Sequence, residues 1–331
     1  ELTISCLPGS DVQKIESEYH LKVYAIERID DGKYRADTDR GGVSIERQGY
    51  KRTRLIFIGG VADAVLGSGT VRCGKIYHTG SFDGAYMMSE VMKGRAFDFG
   101  SPDDLRDAGH LIANFHLAAA GYAPPPGGNA PSSWGKWPGK YAAKVAKIKK
   151  YRDALTGRKK LTEFDTVFFE SCGTYIERME ESVRKLKAAA YLDAVERSMK
   201  SMQVCLCDLK RSNFIRRRGE IYAVSLKKCS HDMAETDIAE FYREYAEHGG
   251  LKGASSKFLD AYTEIRELPG GSSDTIKTLI AFPSEFEKVC SRYYKGGDAG
   301  TEQAYVRKLL SAEGCDDRKL ALAEDLGWKN N

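Results

Sequence analysis

The sequence has no run of about 18 apolar residues, so no membrane-spanning helix of ordinary length is expected. It has almost no excess of one charge: 51 Lys and Arg stand against 47 Asp and Glu, a net +4 over 331 residues. Bulk charge therefore gives no case for a nucleic-acid partner. The opening Glu1-Leu-Thr-Ile-Ser-Cys6 has no basic stretch followed by an apolar core, so no secretory signal is expected. Cysteines occur at 6, 73, 172, 205, 207, 229, 290 and 315, without the paired Cys-x-x-Cys knuckles of a zinc site. Scattered over so long a chain, they read as reduced core thiols, and the closest group (Cys205, Cys207 and Cys229, near His231) reads the same way. There is no internal repeat and no long low-complexity tract. What remains is 42% hydrophobic and 30% charged, the composition of a folded chain with room for one large or two ordinary domains.

The first ninety residues read as short strands. Leu21 to Ile29 alternates, Asp30-Asp31-Gly32 turns, and Tyr34 to Thr38 returns; Asp39-Arg40-Gly41-Gly42 turns again into Val43 to Arg47. Thr70 to His78 and Ala85 to Met92 make two more candidates, with Phe82-Asp83-Gly84 as their hairpin turn. Between the two groups, Arg52 to Val65 suits a helix despite Gly59-Gly60. From about residue 101 the period becomes helical. Ser101-Pro102-Asp103-Asp104 offers a hydroxyl cap, Pro at the first helical position and acids in the first turn. The segment from Tyr122 to Pro131, with four prolines, must be loop. A long helix is predicted over Phe164 to Ala190, with Phe168, Cys172, Tyr175, Met179, Val183 and Leu186 on one face and Glu180/Arg184 and Glu181/Lys185 spaced for surface pairs. Strands first and helices after predict an α+β protein.

Chemistry concentrates in Val204-Cys-Leu-Cys-Asp-Leu-Lys-Arg-Ser-Asn-Phe-Ile215 and the following residues to Leu226. Asp208 and Asn213 stand five apart ahead of a short hairpin with a Gly turn, the skeleton of a kinase catalytic loop. In such a loop the Asp takes or orients the proton of the attacking hydroxyl, and the Asn oxygen helps hold magnesium.

Several blocks resemble the CotS spore-coat family of the aminoglycoside phosphotransferase-like kinase superfamily, over about Tyr19 to Tyr294. They are Leu111-Ile-Ala-Asn-Phe-His-Leu-Ala-Ala-Ala-Gly-Tyr122, Trp134-Gly-Lys-Trp137 with the basic helix after it, and Thr278 to Tyr294 with its Phe-Pro-x-x-Phe and Arg-Tyr-Tyr. The resemblance implies a two-lobed protein-kinase-like fold: a small strand-rich lobe over residues 1–92, a hinge and exit over 93–99, and a larger helical lobe over 100–331 that carries the loop near 204–226. It also implies departures. Where active relatives have His-Gly-Asp, this chain has Leu206-Cys207-Asp208. The magnesium-gripping Asp falls at Ser225, a poor ligand for a hard dication, and the phosphate-binding Lys falls near Glu46, which would repel phosphate. Arg47 beside it would point to the opposite face.

With three parts of the nucleotide machinery altered, a pseudokinase is expected: a binding or scaffolding component of the spore coat, made without a signal peptide, needing no cofactor and partnered by other coat proteins. The alternative is an active phosphotransferase using ATP and magnesium through Asp208 and Asn213. Residues 136–160 hold ten basic side chains and one acid, Asp153. There, Lys144, Lys147, Lys149 and Lys150 are candidates for an acidic partner, weighed evenly against a solvated helix face. Arg216-Arg217-Arg218 is expected to be exposed at the hairpin tip, His116 and His231-Asp232 to be structural, Asp237 to cap or anchor the catalytic loop, and Trp134 and Trp137 to staple the Pro-rich loop.

Overall fold

The computed structural model describes residues 9–49, 51–77, 86–250, 254–296 and 300–326. In chain order the elements are α1 (Gly9–Tyr19), β1 (Val23–Asp30), β2 (Lys33–Thr38), β3 (Gly41–Arg47), α2 (Arg52–Gly67), β4 (Ile76–Tyr77), β5 (Tyr86–Glu90), β6 (Arg95–Ala96) and α3 (Pro102–Ala119). Then follow α4 (Trp137–Leu155), α5 (Glu163–Lys185), α6 (Ala189–Lys200), β7 (Val204–Cys205), a 3-10 turn (Arg211–Asn213), β8 (Phe214–Arg217), β9 (Glu220–Ala223) and β10 (Ser230–His231). Helices α7 (Ala234–Glu247), α8 (Ser256–Ile265), α9 (Ser272–Ala281), α10 (Ser284–Tyr294) and α11 (Glu302–Asp325) complete the chain. None of the described helices is long and apolar enough to cross a membrane.

Packing groups the chain into two compact units. One comprises residues 1–132, 201–231 and 258–266; the other 133–200, 232–257 and 267–331. The segment that carries Asp208 and Asn213 thus belongs with the first strands.

In the first unit a five-stranded antiparallel sheet runs in the order β1-β2-β3-β5-β4. Period-2 alternation makes one face apolar: Ile26, Tyr34, Ala36, Val43, Ile45 and Met88 are buried together with Val12, Ile15 and Tyr19 of α1. The sequence reading missed α1. Among the described residues of the strand expected over Thr70 to His78, only Ile76–Tyr77 pairs with β5, while Cys73 makes a single bridge to Ala223. The Phe82-Asp83-Gly84 turn lies outside the described residues. Helix α2 does form across Gly59-Gly60, and its glycine has a packing reason: a Cβ at Gly60 would fall 1.6 Å from the Tyr122 hydroxyl. Helix α3 starts as expected, with Ser101 Oγ accepting the Asp104 amide at 3.3 Å.

In the second unit the helix expected over Phe164 to Ala190 is two. α5 ends at Lys185 and α6 begins at Ala189; between them the bonding tightens, with the Lys187 amide on the Arg184 carbonyl and the Ala188 amide on the Lys185 carbonyl, both at 3.1 Å. Thr162 and Asp165 form a capping box at the start of α5. Glu181 pairs with Lys185 at 3.5 Å as the spacing predicts, but Arg184 also pairs with Glu181, and Glu180 is taken by Lys149.

Candidate functional site

The face of the sheet opposite the core carries the polar members of the alternation. Register sets Lys33 across from Glu46, Arg35 across from Ser44, and Ser44 across from Ser89. With Asp208, Asn213, Ser225 and Lys227 these residues line a cavity of about 540 Å3. Ile76, Met87, Val91 and Met92 supply an apolar stretch of its wall. The structure therefore gathers Glu46, Asp208, Asn213 and Ser225, expected from sequence, in one place. Arg47 does not line this cavity; its Cβ would meet a side chain placed at Gly32.

Two lysines occupy this site that the sequence reading did not single out. Lys227 Nζ donates to Glu46, and Lys33 Nζ reaches the same carboxylate at 3.1 Å. Ser44 Oγ donates to it at 3.2 Å. Burial pushes the Glu46 carboxyl up, but Lys227 and then Lys33 outweigh it and hold the group below its ordinary value. Lys228 Nζ lies 3.0 Å from an oxygen of Asp208, which is 16% exposed. The alternation of β2 and β3 could have pointed to Lys33 and Arg35. No local signal marks Lys227, whose contact with Glu46 spans 181 residues.

Asn213 is held by a network that leaves its amide one orientation. Its Nδ2 donates to the carbonyls of Asp208 (2.9 Å) and Ser225 (3.0 Å), and its Oδ1 accepts the Ser225 amide at 2.7 Å. Flipping the amide would oppose donor to donor and acceptor to acceptor. Asn213 thus ties the loop to the segment that follows the hairpin. Leu206 is buried, and Cys207 sits at φ 53°, the left-handed region that a glycine adopts without strain. The positive φ explains why a glycine suits that position in the resembling family.

These groups do not fit a magnesium ion. A hard dication wants several oxygen ligands, carboxylates among them. Here Asp208 is engaged by Lys228, Glu46 by Lys227 and Lys33, Ser225 offers a neutral hydroxyl, and the Asn213 oxygen already accepts an amide. A divalent cation would meet ammonium groups at hydrogen-bond distance from both carboxylates.

Other expectations fare unevenly. Arg216, expected to be exposed, has a side chain only 18% exposed: it donates to Asp104 at 2.7 Å and to Asp107 at 2.8 Å. Arg95 joins it on the fully buried Asp104 at 2.6 Å. Burial pushes the Asp104 carboxyl up, but Arg95, the Asp98 amide and Arg216 hold it below its usual value. Arg217 pairs with Glu90 at 3.1 Å. The basic segment is partly consumed internally, since Lys144 and Lys147 grip Glu287 at 2.9 and 3.0 Å and Lys149 takes Glu180. Lys150, Lys159 and Lys160 are exposed. His116 is fully buried with Nδ1 2.9 Å from the Tyr262 hydroxyl, a packing role. His231 is buried too, its Nδ1 3.2 Å from the Gln203 carbonyl, and burial lowers its pKa. Trp137 is held by a bond from Nε1 to Asp232 at 3.1 Å, and burial pushes that carboxyl up to about 7. Among the described residues, Cys205, Cys207, Cys229 and His231 do not converge as a ligand set.

Solved structures place this architecture. An aminoglycoside phosphotransferase from Alicyclobacillus acidocaldarius matches with a TM-score of 0.79 at 14% identity, over 97% of this chain and 96% of that one. The amicoumacin kinase hAmiN, in complex with AMP-PNP, Ca2+ and Ami, matches with a TM-score of 0.61 at 13% identity, over 94% of each chain. The spectinomycin phosphotransferase APH(9)-Ia, in complex with ADP and spectinomycin, matches at 0.60 and 9% identity, over 97% of this chain and all (100%) of the other. At such identities the likeness is one of fold: the chain has the aminoglycoside phosphotransferase-like, protein-kinase-like α+β fold. The family model described as spore coat putative kinase YutH matches residues 78–319, and the chain belongs to that family.

Proposed function

We propose that this protein is a non-catalytic member of its kinase-like family, a binding or scaffolding component of the spore coat that does not carry out magnesium-dependent phosphoryl transfer from ATP. The observation that carries the reading is the pair Lys227–Glu46. A carboxylate stands near the place expected for the phosphate-binding lysine, and its counter-charge is a lysine two residues beyond the place expected for the metal-binding Asp. Phosphoryl transfer depends on positioning and on neutralising developing charge, so a carboxylate at the first place and a neutral serine with a lysine beside it at the second remove the main sources of catalysis. Binding of coat partners through the basic segment fits the charge left exposed at Lys150, Lys159 and Lys160, while Lys144, Lys147 and Lys149 serve internal contacts. An acidic protein surface is the partner chemistry that matches.

The test is calorimetric titration of ATP with and without magnesium, alongside ADP release under the same conditions. Expected are no turnover and no gain in affinity from magnesium; magnesium-dependent micromolar binding with turnover would overturn the reading. One observation favours the second reading, an active phosphotransferase: Asp208 and Asn213 both line the cavity. There Asp208 would be the base, and Asp208→Asn would abolish activity. Under the scaffold reading, a stably folded Asp208→Asn protein still assembles into the coat.

A further inference from the structure

The apolar stripe of α5 is covered along most of its length and left open near its end. Phe168, Cys172, Tyr175, Met179 and Leu186 are buried, whereas Val183 is half-buried. Its neighbour there is α4, which lies alongside α5 in the second unit. α4 presents Ala142 and Ala146, one turn apart and both exposed, where longer side chains would close the seam. With Val145 and Val183 they floor a groove of about 410 Å3. The rim is charged and mostly of one sign, with Lys149, Arg184 and Lys187 against Glu180. Lys149 already holds Glu180, and the next acid along α5, Glu181, is held by Arg184 and Lys185. Lys187 is exposed, and its side chain has no partner among the described residues. The Arg184 side chain is 77% exposed, so its pair with Glu181 leaves it open to a second carboxylate. An apolar floor under a cationic rim matches an apolar side chain flanked by carboxylates.

We propose that the groove between α4 and α5 is the docking site for an acidic segment of a partner protein, which lays an apolar side chain over Ala142, Ala146 and Val183 while Arg184 and Lys187 meet its carboxylates. This rests on the partner reading above and narrows it, because Arg184 and Lys187 come from the end of α5 and lie outside the basic stretch at 136–160. Exposed lysines alone attract any acidic surface, whereas a floored groove also selects for the apolar residue between the acids. Salt weakens the rim contacts and spares the apolar one.

The test uses the full chain and a fluorescently labelled peptide of about twelve residues, one leucine among glutamates, long enough for three helical turns. Binding is read by anisotropy. Two control peptides replace the leucine by serine or the glutamates by glutamines. Expected are saturable binding at about 10–100 µM in low salt and at least about fivefold weaker binding of each control. Ala146→Phe fills the floor from an exposed helix position, and Lys187→Glu reverses charge on the rim. Each lowers the affinity at least about fivefold with an unchanged melting curve, while Lys159→Glu leaves the affinity unchanged. An unchanged affinity in Ala146→Phe and Lys187→Glu, with a loss in Lys159→Glu, overturns the groove and leaves the basic stretch as the partner surface. No binding of the peptide overturns the inference and leaves the non-catalytic reading, which the ATP titration tests separately. A serine control that binds as tightly as the leucine peptide overturns the apolar anchor. Sedimentation that shows a dimer, dissolved by Ala146→Phe, overturns the acidic partner in favour of a second copy of this chain.

Discussion

Lys227 pairs with one carboxylate from a distant strand and Lys319 gathers three, and the two lysines do different things. Lys227 and Glu46 are 23% and 22% exposed, so water and salt weaken the pair and the cavity stays open to a ligand. Lys319, on α11, is 1% exposed and lies 3.1 Å from Glu247, 3.3 Å from Glu285 and 3.6 Å from Asp316. Burial pushes the Lys319 pKa down, but Asp316, Glu285 and Glu247 outweigh it and raise it. Asp316 in turn accepts the Phe286 amide at 2.8 Å and the Glu285 amide at 3.3 Å, capping α10, which has no side-chain cap of its own. The same charges thus make a structural clamp where water is excluded and an adjustable site where it is not. Burial, not residue type, decides between these roles.

The comparison is broken most directly at the buried lysine. Lys319→Met strands buried carboxylates without their counter-charge and is expected to lower stability by about 3–5 kcal/mol, read by chemical denaturation. A loss below about 1 kcal/mol would place the two clusters in the same class. The next effect is pH dependence in the same unit. Asp232 keeps its proton in the folded state up to about pH 7, whereas an unfolded Asp releases it near 3.8. Between those values the folded state binds more protons, so stability falls as pH rises through the window, by at most about 4 kcal/mol. Asp232→Asn stays neutral, still accepts from Trp137 Nε1, and is expected to flatten that slope and to raise the melting temperature at pH 8 above that of the wild type. An unchanged slope would assign the dependence elsewhere.

Smaller effects belong to the cavity and the loop beside it. Cys207→Gly relieves the left-handed backbone at φ 53° and is expected to add about 1 kcal/mol, measured by thermal melting. A loss would show that the Cys207 contact with Ser230 at 3.5 Å outweighs the strain. Lys227→Met is expected to lower stability by at most about 1 kcal/mol, because Lys33 still partners Glu46. The two lysine variants should therefore differ at least about threefold in their cost to stability, with Lys319→Met the larger.

The first hairpin, the start of α3 and the loop at 122–131 were legible because each depends on neighbours in sequence: alternation, a hydroxyl cap, a run of prolines. Asp208 and Asn213 were legible for the same reason, five residues apart before a turn. The end of α5 was not, since no Gly or Pro marks Lys185-Leu186-Lys187, where the bonding tightens from i−4 to i−3. Arg216 looked like one of three exposed arginines until Asp104, 112 residues away, drew it inward.

By itself, then, the sequence determined the strand-then-helix order and the Asp208–Asn213 spacing before a turn, both of which follow from local periodicity and residue chemistry. Only the tertiary structure decided that Lys227 neutralises Glu46 and Lys228 engages Asp208, and that Arg35 faces the same cavity. Those contacts join segments whose separation along the chain carries no periodic signal, and they exist only once burial of the apolar face has set the register of the sheet.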